Sequence, residues 1–175
     1  MTEKMIKVDT EKWGEFNVKD LFRPVTISNK LSKKDLFEDG NVPVYSSTTI
    51  NNGIEGYCKK NPDFIVDKNN SLYLVFGDHT KAMSLVTESF SVMDNVKVLI
   101  PKYKSIIINQ FICTVWRKQI TDLGYARHWN IAKQVKIKLP ITEKGEIDIK
   151  YIENYMNCIK NDVENRIKIF EKIVK

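Results

Sequence analysis

The C-terminal stretch from Asp148 to Lys175 contains neither glycine nor proline. Apolar residues recur there at alternating spacings of three and four, which predicts one long helix with a narrow apolar seam. Asp148 supplies the kind of side-chain acceptor that caps a helix N-terminus. At 1.5 Å per residue the helix reaches about 40 Å, so its seam must pack either on the rest of the chain or on a second helix.

The heptad pattern favours a second helix, with Arg166 as the single polar residue in the seam. We expect a homodimer through this coiled-coil helix, in which Arg166 fixes the register. The expected dimerisation residues are Ile149, Ile152, Met156, Ile159, Val163, Phe170 and Ile173. The chain is thus expected to divide into a domain over residues 1–143 and a helix for dimerisation or subunit docking over residues 147–175.

The first 140 residues mix short strands with short helices. Residues 72–76 form an apolar run before Gly77, and Val135, Ile137 and Leu139 alternate with lysines as in a half-buried strand. Residues 108–120 have helical spacing instead. Because strands and helices do not alternate regularly, a doubly wound parallel sheet is excluded. The expected class is α+β, a mixed, twisted β-sheet with short helices, followed by the long C-terminal helix.

Positive charge is concentrated in the second half of the chain. The net charge is +6, but residues 97–138 contain nine basic residues and one acidic residue, Asp122. Such a segment favours a polyanion such as nucleic acid as the partner. The apolar runs are far shorter than the roughly 20 residues that span a bilayer, and the N-terminus lacks a secretory pattern, so we expect a cytoplasmic protein without a membrane partner.

Motifs for catalysis are weak in this sequence. It has no Pro-Pro loop or glycine-rich cofactor turn of a DNA methyltransferase, and its two histidines, 49 residues apart, do not have metal-ligand spacing. Three widely spaced cysteines are expected to be buried apolar residues. Two alternatives stay open: a small metal-dependent nuclease using Asp63 and Asp78, and a structural or adaptor protein that works through its C-terminal helix.

A series of short motifs carries a resemblance to a known family. The motifs are Trp13-x-x-Phe16, Asp20-Leu21-Phe22, Gly40-x-Val42-Pro43-Val44-Tyr45-Ser46-Ser47, Asn51-Asn52-Gly53-Ile54-x-Gly56-Tyr57, Phe76-Gly77-Asp78-His79-Thr80-Lys81, Asp94-Asn95-Val96, Tyr125-x-Arg127 and Ile137-x-Leu139-Pro140. In this order and spacing they resemble the target recognition domain of type I restriction-modification specificity subunits, over nearly the whole chain.

The resemblance implies a protein that binds specific double-stranded DNA without catalysis. The expected partners are double-stranded DNA and DNA methyltransferase subunits, with nuclease or translocase subunits as further candidates. No cofactor is expected here, because S-adenosylmethionine would belong to the methyltransferase. The resemblance implies subunits with two recognition domains joined by two paired helices, whereas this sequence has one such domain and one such helix. It is expected to be a half-subunit that homodimerises on a pseudo-palindromic site, or else a fragment of a longer chain.

Polar loops supply the groups that distinguish base edges in the major groove. The expected DNA-binding residues are Ser46, Ser47, Thr48, Asn51, Asn52, Asp78, His79, Thr80, Lys81, Arg127, His128, Asn130 and Lys133. Plain turns are the alternative for residues 51–53 and 77–81, and Trp129 is expected to lie in the core. Further phosphate contacts are expected from Lys97, Lys102, Lys104, Lys133, Lys136 and Lys138.

Overall fold

The computed structural model describes residues 10–124 and 126–173. Tyr125, which is part of the resemblance, and the outer ends of both expected domains lie outside these ranges. The described elements are β1 (Gly14–Asn17), β2 (Phe22–Val25), β3 (Val42–Tyr45), β4 (Ile54–Cys58), β5 (Tyr73–Gly77), β6 (Met83–Val86), β7 (Ser91–Val92), β8 (Val96–Pro101), α1 (Ile106–Gln119), α2 (Trp129–Ala132), β9 (Lys136–Leu139) and α3 (Ile149–Ile173).

The strands form three sheets in the described residues. A four-stranded antiparallel sheet has the order β2-β8-β5-β6, and a three-stranded sheet has the order β4-β3-β7 with β3 and β7 parallel. Strands β1 and β9 pair antiparallel, although almost the whole sequence of the domain separates them. The α+β class is confirmed, with both parallel and antiparallel pairing, although the strands divide among three sheets and do not form one.

Both faces of the four-stranded sheet are buried. On one face, Leu74 and Phe76 of β5 pack in a core with Trp116 of α1, whose ring stacks on that of Phe76. On the other face, Tyr73 and Val75 belong to a second core shared with the three-stranded sheet. Side chains of a strand alternate between its faces. Burial on both sides therefore explains why residues 72–76 are apolar without interruption.

Helix α1 fixes the short helix α2 near the end of β5 and the start of β8. Ser105 caps α1 by accepting a hydrogen bond from the Ile108 N–H. Further along α1, the buried Trp116 indole donates to the Ala132 carbonyl oxygen at 3.0 Å. Because this bond joins two fully buried residues, it holds α2 in a defined position against the domain core.

Helix α3 begins inside the domain and leaves it. Asp148 caps the helix, as expected, by accepting a hydrogen bond from the Tyr151 N–H at 2.9 Å. Ile152 is 0% exposed, and the half-buried Tyr155 contacts Phe111 of α1 with ring centroids 5.8 Å apart. From residue 157 to residue 173 every position is exposed.

This arrangement divides the expected dimerisation set. Ile152 is buried in the domain's own core, where it cannot meet a second helix, and the partly buried Ile149 and Met156 pack against that core. Ile159, Val163, Phe170 and Ile173 remain exposed, and Ile167 joins them, since it is four residues from Val163 and three from Phe170. Arg166, expected in the seam, forms an ion pair with Asp162 one turn earlier at 3.0 Å.

Two further properties bear on the sequence expectations. Cys58 and Cys113 are buried as expected, whereas Cys158 on α3 is exposed, contrary to expectation. Among the described residues no helix combines the length and hydropathy that crossing a membrane requires.

Candidate nucleic-acid interface

Three polar segments that are distant in sequence meet in the fold. We call them the first loop (residues 46–53, after β3), the second loop (residues 77–82, between β5 and β6) and the third segment (residues 122–124 and 126–133, between α1 and β9). Together they contain all thirteen residues that the sequence predicts to bind DNA. The contacts between them are made largely by backbone groups and short side chains.

The first loop reverses direction through consecutive left-handed residues. Asn51, Asn52 and Gly53 have φ values of 47°, 50° and 89°, a conformation that asparagine tolerates better than most residues and that glycine adopts freely. A Cβ on Gly53 would lie 2.5 Å from the Ser84 hydroxyl oxygen, so only glycine fits there. At the start of the loop, the Ser46 hydroxyl donates to a Glu55 carboxylate oxygen at 2.8 Å.

Ser47 joins the first loop to the second. Its hydroxyl oxygen accepts a hydrogen bond from the His79 N–H at 3.1 Å, and its carbonyl oxygen accepts one from the Thr80 hydroxyl at 2.7 Å. The close approach depends on Gly77, where a Cβ would lie 2.8 Å from the Ser47 hydroxyl oxygen. The Ser47 N–H donates to the Asn95 side-chain oxygen at 3.3 Å, which ties both loops to the start of β8.

Asp78 joins the second loop to the third segment. Its carbonyl oxygen accepts hydrogen bonds from the His128 N–H at 2.8 Å and from the His128 ring Nδ1 at 3.1 Å. Its carboxylate oxygen Oδ1 accepts the Trp129 N–H at 2.8 Å. On the far side of the ring, His128 Nε2 accepts the Leu123 N–H at 3.1 Å. Because a backbone N–H only donates and a carbonyl oxygen only accepts, Nε2 acts as an acceptor and Nδ1 as a donor in this arrangement.

Lys81 and Asp122 form a second connection between the same segments. The Lys81 ammonium lies 2.8 Å from Asp122 Oδ2, and the Gly124 N–H donates to Asp122 Oδ1 at 2.9 Å. The Lys81 hydrogen bond and then the Gly124 hydrogen bond hold the pKa of Asp122 below its usual range. Asp122 is therefore ionised at neutral pH. Lys81 has a left-handed backbone, with φ of 58°.

The thirteen residues differ in exposure. Ser46, Ser47, Asp78 and His128 are between 1% and 5% exposed, and the protein's own groups use their polar atoms as described above. Thr48, His79, Thr80 and Lys81 are half-buried. The exposed residues are Asn51, Asn52, Arg127, Asn130 and Lys133. The structure thus gathers all thirteen in one region but places four of them inside the framework of the loops.

Three residues of this region were missed by the sequence reasoning: Glu55, Asn95 and Asp122. Asp122 had a signal in the sequence as the single acid among nine basic residues, and Asn95 belonged to a motif of the resemblance, whereas Glu55 had none. Trp129 lies where it was expected, against the core, with its ring 5.6 Å from that of Phe76, although it is only partly buried.

The basic residues of the segment 97–138 do not form one surface. Lys102 and Lys104 line a depression with Lys19 and Arg23 near the end of β8. Lys118, Lys136 and Lys138 line a groove between β9, α1 and α3. Lys97 of β8 lies opposite Phe76 of β5, and Phe76 is the residue that precedes the second loop. The high local charge of the sequence is therefore divided among several faces of the domain.

The two acids of the nuclease alternative have separate surroundings. An Asp63 carboxylate oxygen accepts a hydrogen bond from the Asn29 side chain at 3.0 Å, whereas Asp78 binds the third segment. Within residues 10–124 and 126–173, no group of three or more His, Cys, Asp or Glu side chains is placed to hold a metal ion.

This small α+β domain gathers polar loops from three parts of its sequence. It also extends a helix whose residues 157–173 are exposed. Both features are typical of a recognition module. The family model of the type I restriction modification DNA specificity domain matches residues 10–169. The chain belongs to this family, which confirms the resemblance read from the sequence motifs.

Individual relatives agree with this assignment. The type II restriction enzyme BgcI specificity subunit S.BcgI of Heyndrickxia coagulans is 27% identical over 164 residues, which cover 88% of this chain and 45% of the relative. The fold is similar to the S subunit of a type I restriction-modification system from M. genitalium, with a TM-score of 0.62, 11% identity and coverage of 95% of this chain and 45% of that one. It is also similar to the HsdS subunit from Thermoanaerobacter tengcongensis, with a TM-score of 0.56, 10% identity and coverage of 91% and 40%. The chain spans less than half the length of these relatives.

Proposed function

We propose that the chain is a specificity component of a restriction-modification system and binds a specific sequence in double-stranded DNA through the three convergent segments. The observation that carries the proposal is this convergence, in a chain of the DNA specificity domain family. Base edges are read by groups that both donate and accept hydrogen bonds at fixed positions. The convergent segments present such groups side by side.

The exposed side chains of the region have the chemistry that base reading requires. Asn51, Asn52 and Asn130 carry amides, which suit the adjacent donor and acceptor of adenine in the major groove. Arg127 and Lys133 carry donors for guanine or for phosphate oxygens. We therefore assign direct DNA contacts to these five residues and to the half-buried Thr48, His79, Thr80 and Lys81.

The buried residues have a different proposed role. Ser46, Ser47, Asp78 and His128 hold the loops in place through the hydrogen bonds described above, so they act as positioning residues. Ordering a loop only on binding would subtract from the affinity, whereas a loop that is already fixed avoids this loss. The specificity of the exposed residues therefore depends on the buried ones.

The lysines near the loops are the better candidates for phosphate contacts. Lys97 and Lys133 adjoin the second loop and the third segment, whereas Lys102 and Lys104 lie at the opposite end of β8. A duplex that is bound by the loops reaches the first pair more readily than the second. Neutralising a phosphate contact flattens the dependence of binding on salt, so Lys97→Ala is expected to flatten it more than Lys102→Ala.

The exposed half of α3 is the proposed pairing surface. Ile159, Val163, Ile167 and Phe170 recur at spacings of three and four, and their exposure ranges from 39% to 67%. An apolar stripe of this kind is covered by a second helix in coiled coils. We propose that the second helix belongs to another copy of the chain, so that a homodimer reads two related half-sites.

We further propose that the chain itself does not methylate or cut DNA. DNA methyltransferase subunits, and nuclease subunits where a system has them, would dock on the bound chain in the cytoplasm and supply the chemistry. The curated relative is named as a specificity subunit of a restriction enzyme, which supports this division of labour.

The test is selection from a pool of duplexes with a randomised central segment. The full chain, alone and with a candidate methyltransferase subunit, is expected to enrich one sequence motif. Asn52→Gly keeps the left-handed backbone but removes the amide, and is expected to weaken binding of that motif by about 1–3 kcal/mol. Failure to enrich any motif, either alone or with the methyltransferase subunit, would refute the proposed function.

A further inference from the structure

The Lys81–Asp122 pair places a hydrogen-bond donor and an acceptor next to each other within the proposed interface. The ammonium and the carboxylate oxygen Oδ2 are 2.8 Å apart. Asp122 is the only acid among residues 97–138, and its side chain is 71% exposed. An acid on a DNA-binding surface repels phosphates, so its position beside a lysine proposed to contact DNA needs a specific reason.

A G·C base pair offers the complementary arrangement in the major groove. Guanine O6 accepts and cytosine N4 donates, and the two atoms are joined by a Watson–Crick hydrogen bond of ordinary length, about 2.9 Å. This separation matches that of the Lys81 and Asp122 atoms. We infer that Lys81 and Asp122 together read one G·C pair, with Lys81 donating to guanine and Asp122 accepting from cytosine N4. The inference rests on the proposed function and specifies part of its target.

The number of donors on the lysine favours G·C over A·T. An ammonium group has three protons, and one of them is used in the bond to Asp122. The remaining two suit the neighbouring acceptors O6 and N7 of guanine. Adenine presents N7 beside an N6 donor, and thymine adds a methyl group next to its O4 acceptor. An A·T pair would therefore leave one lysine proton without an acceptor on the purine.

The pair is held more firmly than an ordinary surface ion pair. The Lys81 side chain is only 15% exposed, and the Gly124 N–H anchors the second oxygen of Asp122. Lys81 also keeps a left-handed backbone, a conformation that persists in non-glycine residues where the surrounding structure enforces it. By contrast, Lys59 and Asp39 form an ion pair of 2.6 Å in which both side chains are at least half exposed.

The Lys59–Asp39 pair provides matched controls. Asp39 is 75% exposed, close to the value for Asp122, and both residues lie at the end of the β3–β4 hairpin opposite the first loop. The experiment compares Asp122→Ala and Lys81→Met with Asp39→Ala and Lys59→Met. Each full-length variant is used to select from the same randomised duplex pool, and the base preference is measured at every position of the motif.

We expect Asp122→Ala, which removes the acceptor, and Lys81→Met to relax the same G·C position by about 5- to 100-fold and to leave the other positions unchanged. The double variant is expected to lose little more than either single one, because the two residues read one base pair. Lys81→Arg is expected to retain the preference for guanine. The two control variants are expected to select the full motif.

Two results would overturn the inference while leaving the proposed function intact. In the first, the wild-type chain enriches a motif, but the two variants relax no position in common. In the second, the common position is an A·T pair. If the wild-type chain enriches no motif at all, the proposed function fails, and this inference fails with it.

Discussion

Replacing Asp78 tests whether the loop framework is as firmly built as the contacts indicate. Asp78 is 3% exposed, and Oδ1 of its carboxylate accepts the Trp129 N–H at 2.8 Å. Its backbone groups bond to His128 and Asn95 and are unaffected by a change of side chain. Asp78→Ala therefore removes one hydrogen bond to a charged acceptor, which is worth about 1.5–3 kcal/mol. For a protein of this size, that loss lowers Tm by about 3–12 °C.

Asp78→Asn provides the matched comparison, because it keeps an oxygen acceptor without the charge. Asp78→Asn is expected to lower the free energy of unfolding by about 1 kcal/mol relative to the wild-type chain, which is less than the loss expected for Asp78→Ala. Urea denaturation measures all three, and DNA binding is expected to weaken in the same order as the third segment loosens. Asp63→Ala, at the other acid of the nuclease alternative, is expected to change stability by less than about 1 kcal/mol. Equal stability of wild-type and Asp78→Ala chains, or equal losses for Asn and Ala, would refute the reasoning.

Four other variants test separate parts of the fold. Ile152→Ala should lower the unfolding free energy, measured in urea, by about 2–5 kcal/mol, because the Ile152 side chain is fully buried. Phe170→Ala should leave the unfolding free energy nearly unchanged and should instead reduce the mass of the particle measured by light scattering. Gly53→Ala should destabilise the chain by more than about 1 kcal/mol, since φ is 89° and a Cβ would meet a serine hydroxyl; an unchanged Tm would contradict the left-handed turn. The backbone N–H of Ser32 is the main cause that lowers the pKa of Asp35 from 3.8 to about 2. A depressed pKa stabilises the fold above pH 3.8 and loses that effect as the pH falls towards 2, so Asp35→Asn should flatten the acid end of the stability curve.

Helices α1 and α3 and strands β5 and β9 were predictable because their signals are local. Apolar spacing located α1, β5, β9 and α3, and Asp148 marked the start of α3 correctly. The division into three sheets was not predictable in the same way. Strand β1 pairs with β9, which follows it by more than a hundred residues, and no local pattern identifies such a partner. The apolar spacing along α3 also did not reveal that Ile149, Ile152 and Met156 pack on the domain. Packing within one chain and packing between two chains require the same spacing.

The sequence indicated the residues of the three convergent segments but not the structural role of each one. Serine, threonine, asparagine and aspartate form turns for the same reason that they read bases, because short side chains donate and accept close to the backbone. The sequence therefore located the first and second loops correctly. It could not separate Ser47 and Asp78, which fix the loops from inside, from Asn52, which is exposed. The packing of the second loop against Ser47 and of the third segment against Asp78 distinguishes the two roles.

The attachment of α3 has a consequence for how the proposed dimer would read DNA. Ile152 and Tyr155 fix the first turns of the helix in the domain core, and the helix continues for 17 exposed residues without glycine or proline. Those residues extend about 25 Å from the domain. Because the helix is anchored, a partner that covers Val163 and Phe170 sets the distance and rotation between two sets of loops. Base preference and half-site spacing thus depend on separate parts of the chain. Changes in the exposed half of α3 should alter the spacing of half-sites in selected duplexes and leave the bases within each half-site unchanged.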